Sequence, residues 1–208
     1  MSEILRNAQL AMKLLVFSDL HRDQDQAERL VELARDADVV LGAGDYATMR
    51  MGLEATIEVL SAIAAPTVLV PGNAESDTEL WQACQDWHSA HVLHGEALAL
   101  EGGQFFGLGG GVPPTPFPWS FDLSEDEAAA KLESCPEGAI LVVHSPPKGH
   151  LDEVHGRHLG SRAILETIER KRPALVVCGH IHQCWGSEAV IGTTPVVNVG
   201  PDGRFFDI

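Results

Sequence analysis

The stretch ALVVCGHIHQC, residues 174–184, runs through five apolar residues and a glycine into two histidines two positions apart. In an extended segment the side chains at i and i+2 share a face, so His180 and His182 can aim at one point beyond a buried strand. Taken alone, the pair reads equally well as two loop histidines bonded to the backbone. Four other strand ends decide between the two readings. The apolar run 14–17 ends in Ser18-Asp19-Leu20-His21, and the run 38–41 ends in Gly42-Ala43-Gly44-Asp45. The run 66–70 leads into Pro71-Gly72-Asn73-Ala74-Glu75, and the run 140–143 into His144-Ser145-Pro146-Pro147. Each polar group emerges at the carboxyl end of a strand, the edge where open α/β sheets build ligand sites. Asp19, His21, Asp45, Asn73, His144, His180 and His182 therefore fall in phase. Carboxylate and amide oxygens mixed with imidazoles suit Mn²⁺, Fe or Zn²⁺ as the bound ion.

Working outward, strand and helix patterns alternate and then give way to further strands. Ala27, Leu30, Val31 and Ala34 make one helical face, and Leu53, Ile57, Leu60 and Ala64 make a second. Ser76 with Glu79, and Ser124 with Glu127, have the spacing of capping boxes and open two more helices. Further strands are expected at 98–100, 105–108, 175–178, 189–191 and 196–199. No repeat or low-complexity linker divides the chain, so residues 12–208 are read as a single domain. Residues 1–11 precede the first strand and are read as an N-terminal extension.

The chain has 208 residues, 45% hydrophobic and 21% charged, which is enough for one substantial core. Thirty acidic against fourteen basic residues leave a net charge of −16, a field that repels nucleic acid and anionic lipid. Nucleic-acid polymers and membranes are therefore excluded as main partners. The four cysteines lack C-x-x-C spacing, and Cys178 sits in an apolar run, which fits reduced thiols in the cytoplasm. No stretch approaches the roughly 18 apolar residues of a membrane span, and the start has no export-signal pattern.

The ordered motifs Asp19-Leu-His21, Gly44-Asp45, Gly72-Asn73, His144 and Gly179-His180-Ile-His182 resemble those of the calcineurin-like metallophosphoesterases. The stretches HSPPKGHLD and GRHLGSRAI resemble a prokaryotic branch related to small class III phosphodiesterases. The resemblance implies an α+β fold, a four-layer αββα sandwich with the motif loops gathered at one edge of the paired sheets. It also implies two divalent transition-metal ions, Mn²⁺ first with Fe or Zn²⁺ as alternatives. Asp19, His21, Asp45 and His182 would hold one ion, and Asp45, Asn73, His144 and His180 the other, with Asp45 as the bridge. Two such ions about 3.5 to 4 Å apart hold a hydroxide nucleophile and neutralise charge growing on a phosphoryl group. The function implied is hydrolysis of a small phosphodiester, in preference to a phosphomonoester. The catalytic positions would be Asp19, His21, Asp45, Asn73 and His144. No organic cofactor is implied.

Three positions depart from the family's common pattern. Ala74 stands where many members have the histidine that assists the leaving oxygen, and Thr48 stands where a second acid is usual. Arg22 follows His21 in place of a glycine and is read as solvated. Because of Ala74, the alternative reading is a metal- or nucleotide-binding regulator with little turnover. His150, His155 and His158 are candidates for a replacement acid or, equally, surface residues. The glycine- and proline-rich run 107–119 is read as a rigid wall of the site, since phosphate cradles run from glycines into a helix and usually carry a lysine. Trp81, Trp87 and Trp185 are read as core or rim packing.

Overall fold

Residues 11–208 are described by the computed structural model. Its elements in chain order are β1 (Lys13–Phe17), α1 (Gln24–Leu33), β2 (Val39–Gly42), α2 (Leu53–Leu60), β3 (Thr67–Leu69), α3 (Asp77–Ala83) and β4 (Ala90–Val92). There follow β5 (Glu96–Leu100), β6 (Gly103–Leu108), α4 (Glu125–Leu132), β7 (Ile140–Val143), β8 (Glu153–Val154) and β9 (Arg157–His158). The last are α5 (Arg162–Lys171), β10 (Leu175–Cys178), β11 (Glu188–Ile191), β12 (Thr194–Asn198) and β13 (Arg204–Asp207). The expected extension falls, apart from Ala11, outside the described residues.

Period-two alternation sorts these strands into layers. In β1, Leu14 and Val16 point into one core while Leu15 and Phe17 point into another. In β7 and β10 the same division sends Ile140, Val142, Leu175 and Val177 to the shared core, and Leu141, Val143, Val176 and Cys178 to the opposite side. Strands buried on both faces read as unbroken apolar runs, which is why the sequence shows no polar alternation there. One sheet has the order β13-β1-β2-β3-β4 and the other the order β11-β12-β10-β7-β6-β5. The shared core lies between the sheets. Helices α1, α2 and α3 cover the first sheet, and α4 and α5 cover the second. The result is the four-layer αββα sandwich.

Both expected capping boxes are formed: Ser76 and Ser124 each accept the N3 amide while Glu79 and Glu127 reach back. Ala64 does not belong to the buried helical face. Helix α2 ends at Leu60 with Ser61 as its cap, Ile63 is buried after it, and Ala64 faces solvent. Strands β4 and β13 and helix α5 were not expected from the local pattern. No helix among the described residues is long and apolar enough to cross a membrane.

Candidate metal centre

The loops after β1, β2, β3, β7 and β10 meet at one edge of the sandwich, and backbone pairing zips them together past the strand ends. Asp19 N donates to Gly44 O, His21 N to Asp45 O and Arg22 N to Tyr46 O, at 2.9 to 3.0 Å. Between the sheets, Ser18 N donates to Gly200 O, and within the second sheet Gly179 N, after β10, donates to His144 O, after β7. This pairing holds Asp19, His21, Asp45 and His180 in left-handed backbone, with φ between 48° and 68°. Asp and His tolerate that region better than most residues, yet such conformations persist only where their surroundings over-determine them. Two glycines make the close approach possible. A Cβ on Gly72 would collide with the Asp45 carboxylate and amide, and one on Gly179 with Asp19 and Ser18.

All seven side chains singled out in the sequence come together, in two groups that share Asp45. In the first, His21 Nε2 lies 3.0 Å from His182 Nε2 and 3.6 Å from Asp45 Oδ2, and His182 Nε2 lies 3.9 Å from Asp19 Oδ1. In the second, Asn73 Oδ1 lies 3.1 Å from His144 Nε2 and 3.0 Å from His180 Nδ1. The two imidazole nitrogens there are 3.1 Å apart, and Asp45 Oδ1 is 3.5 Å from His144 Nε2. Ligands about 2.1 Å from a common ion, at right angles, stand about 3 Å apart. The imidazole and amide contacts have that spacing, at 3.0 to 3.1 Å, and the carboxylate contacts are wider, at 3.5 to 3.9 Å.

The fixed tautomers show what these clusters are built to receive. A carbonyl can only accept, so His21 Nδ1 donates to Ala47 O at 3.1 Å and His144 Nδ1 donates to Ala43 O at 2.8 Å. With the rings neutral, the form a metal ligand needs, the Nε2 atom of each presents a lone pair to the cluster. The Asn73 amide is oriented by its own donor, Nδ2, which gives a hydrogen bond to Ser120 Oγ at 2.9 Å. Its Oδ1 therefore faces the lone pair of His144. Acceptor meets acceptor in a site where Asn73 is 4% exposed and His144 fully buried, and a cation satisfies both. The donor set fits a pair of divalent ions.

Burial raises the Asp19 carboxyl above the usual range, and the nearby Asp45 charge adds to this against the pull of His144. Burial would also raise Asp45, but His144, His21 and His180 together hold it low. His144 is opposed by burial and supported by Asp45 and Asp19, with a net rise. His180 is held down to about 3, first by burial and then by His144. Neutral His180 and ionised Asp45 are the forms a metal ligand needs.

Sequence reasoning missed the residues that hold the ligands in place. Glu75, 1% exposed, accepts the backbone N–H groups of Asp45 at 2.8 Å, Gly72 at 2.6 Å and Ala47 at 3.0 Å. It orients the loop from which the usual second acid is missing. Burial and then Asp45 push its carboxyl up to about 7. A glutamate two positions after Asn73 was its only local signal. Ser120 links Asn73 to Asp122 Oδ1, to which it donates at 2.7 Å, and Asp122 Oδ2 accepts Thr115 N at 2.9 Å. The proline-rich run is thus tied to the site as a wall. Ala74 N donates to Asp45 Oδ1 at 2.8 Å, and the Ala74 methyl is buried in the helix-side core. Arg22 is exposed and lies across Gly52. His155 and His158 are exposed on the β8–β9 hairpin, and His158 Nδ1 meets Asp152 Oδ1 at 2.6 Å. Trp87 is a core residue, 4% exposed, while Trp81 is 59% exposed.

Comparisons with known proteins bear on the family and the fold. A family model for calcineurin-like phosphoesterase matches residues 12–184. Human metallophosphoesterase domain-containing protein 1 is 41% identical over 85 residues, covering 38% of this chain and 26% of that protein. The chain therefore spans about a quarter of that relative's length. Among solved structures, TT1561 of Thermus thermophilus has a TM-score of 0.76 at 18% identity, covering 95% of this chain and 99% of that one. A dimetal phosphatase from Danio rerio has a TM-score of 0.64 at 13% identity, over 92% and 88% of the two chains. At such identities these two likenesses speak for the fold. Given the family match over most of its length, on a sandwich of the same architecture, the chain belongs to the calcineurin-like phosphoesterases.

Proposed function

We propose that this protein is a metal-dependent phosphoesterase, with Asp19, His21, Asp45 and His182 holding one divalent ion and Asp45, Asn73, His144 and His180 the other. The observation that carries this reading is the convergence of two lone-pair clusters on the two oxygens of Asp45. When bound, the ion pair supplies Lewis acidity toward a phosphoryl oxygen and an activated water. The chain's own part is to orient the ligands: Ala43 and Ala47 fix the rings of His144 and His21, Ser120 fixes the Asn73 amide, and Glu75 fixes the Asp45 loop. Mn²⁺ heads the expected ions, with Fe and Zn²⁺ compatible with the same donors.

The preferred substrate is a small phosphodiester. No Lys or Arg among the described residues forms an ion pair with the seven side chains, so the ions are the main counter-charge in a chain of net charge −16. A monoester dianion brings one more negative charge than a diester into that field. A metal-loaded sample should therefore show a higher kcat/KM for bis(p-nitrophenyl) phosphate than for p-nitrophenyl phosphate. The reverse order would reject the diester preference. Two bound ions with no turnover of either compound would favour a metal- or nucleotide-binding regulator, the reading motivated by Ala74.

A further inference from the structure

We propose that Trp185 is a positioning residue for the ion held by Asp19, His21, Asp45 and His182, an inference that rests on the metal-centre reading above. Its indole Nε1 donates to Asp19 Oδ2 at 3.2 Å, and its ring lies over the His182 ring with centroids 4.3 Å apart and planes 32° apart. One side chain thus touches two of the four ligands, on loops that follow different sheets.

Each contact supplies something the ligand otherwise lacks. His21 and His144 are locked by Nδ1–H bonds to carbonyls, the usual way a metal-binding imidazole is oriented. His182 has no such bond among the described residues, and its side chain is 50% exposed. The Trp185 face confines it instead. On Asp19, Oδ2 accepts from Ser18 Oγ at 2.5 Å and from Trp185, while His180 N donates to both Oδ1 and Oδ2 at 3.1 Å. Oδ1, which meets neither the hydroxyl nor the indole, is the oxygen turned toward His182 Nε2.

The indole is itself held from behind. Gly200 has φ 70°, and a Cβ there would come within 2.8 Å of the Trp185 ring. Gly200 N donates to Ser18 Oγ at 3.1 Å, and Ser18 in turn donates to Asp19, so the brace closes on the ligand it serves. A tryptophan that only packed at the rim would not need its N–H aimed at a fully buried carboxylate.

The test is calorimetric titration of Mn²⁺ into chelator-stripped wild type, Trp185→Phe and Trp185→Leu, with melting temperatures measured before and after loading. Trp185→Phe keeps a ring over His182 and loses the N–H, while Trp185→Leu loses both. The first-ion affinity should fall about 3- to 10-fold in Trp185→Phe and about 10- to 100-fold in Trp185→Leu, the range for loss of an outer-shell partner. The other ion should bind within twofold of wild type. A purely structural role would lower the melting temperature of the metal-free protein, whereas positioning lowers the gain on loading. If wild type takes up two ions and Trp185→Phe binds both as tightly, the inference is overturned while the metal-centre reading stands. If wild type itself fails to take up two ions, that reading fails and the inference falls with it. Should Trp185→Leu fail to fold, Trp185→Phe alone decides.

Discussion

Replacing Ser120 by alanine should weaken one ion and leave the other alone. Ser120 lies outside both ligand groups, and its hydroxyl is the partner of Asn73 Nδ2 at 2.9 Å. That single bond distinguishes the two orientations of the amide. With it, Oδ1 faces His144 and His180; without it, the flipped amide puts an NH₂ where an oxygen ligand is needed. A lost neutral hydrogen bond costs about 1 kcal/mol net, and the competing orientation adds to it. Loss of outer-shell partners typically weakens metal binding 10- to 100-fold, equivalent to about 1.4 to 2.7 kcal/mol. The ion at Asn73, His144 and His180 should therefore bind about 10- to 100-fold more weakly in Ser120→Ala. The ion at Asp19, His21 and His182 should be unchanged within twofold. Ser120→Thr, which keeps a hydroxyl, should recover most of the loss. Ser120 is half-buried, so the metal-free melting temperature should move by no more than about 2 to 4 °C. Chelator-competition titration with Mn²⁺ resolves the two steps. Equal weakening of both ions, or a Ser120→Ala protein that binds both like wild type, would refute the assignment of the Asn73 orientation to Ser120.

Asp45→Asn should release both ions together and lower kcat/KM by more than about a hundredfold, beyond what loss of an outer-shell partner brings; elemental analysis showing two retained ions would remove Asp45 as the bridge. In the metal-free protein, His180 titrates near 3 when folded and near 6.5 when unfolded, so the unfolded chain takes up its proton first and stability falls as pH drops through that window. Between pH 6.5 and 4.5 wild type should lose about 2 to 3 kcal/mol more than His180→Gln. Glu75, raised rather than lowered, acts in the opposite direction in both proteins, and denaturant melts that track each other across the window would reject the buried neutral imidazole. With alanine at position 74, general acid assistance typically worth about 10² to 10⁴-fold is missing from its usual place. Rates across a series of aryl and alkyl diesters should then fall steeply with leaving-group pKa, and a shallow dependence that His150→Ala, His155→Ala and His158→Ala leave unchanged would place proton donation elsewhere.

The layers and the ligands were legible because both are written at short range. Whether a strand residue faces the shared core or a helix depends only on its parity, and a doubly buried strand shows itself as an unbroken apolar run such as Leu175–Cys178. The seven candidate ligands sit within a few positions of those run ends, so sequence order and spacing could single them out. Edge elements were illegible for the converse reason. In β13, RFFD alternates between exposed and half-buried residues, and it becomes a strand only because Asp207 lies opposite Lys13 at the far end of the chain. Helix α5 is the exception, since Ser161 and the buried Ala163, Ile164, Thr167 and Ile168 offered a readable cap and face.

The braces around the ligands belong wholly to the tertiary structure. Ser120 is 47 positions from Asn73, Glu75 is 30 from the Asp45 amide it holds, and Trp185 is 166 from Asp19. No spacing rule links such pairs, because side-chain periodicity is a property of one strand or one helix. The chain alone determined which residues reach the sheet edge. Which of their atoms face one another was decided by stacking two sheets so that hydrogen-bond donors on one loop meet acceptors on another, where burial makes an unpaired polar group costly.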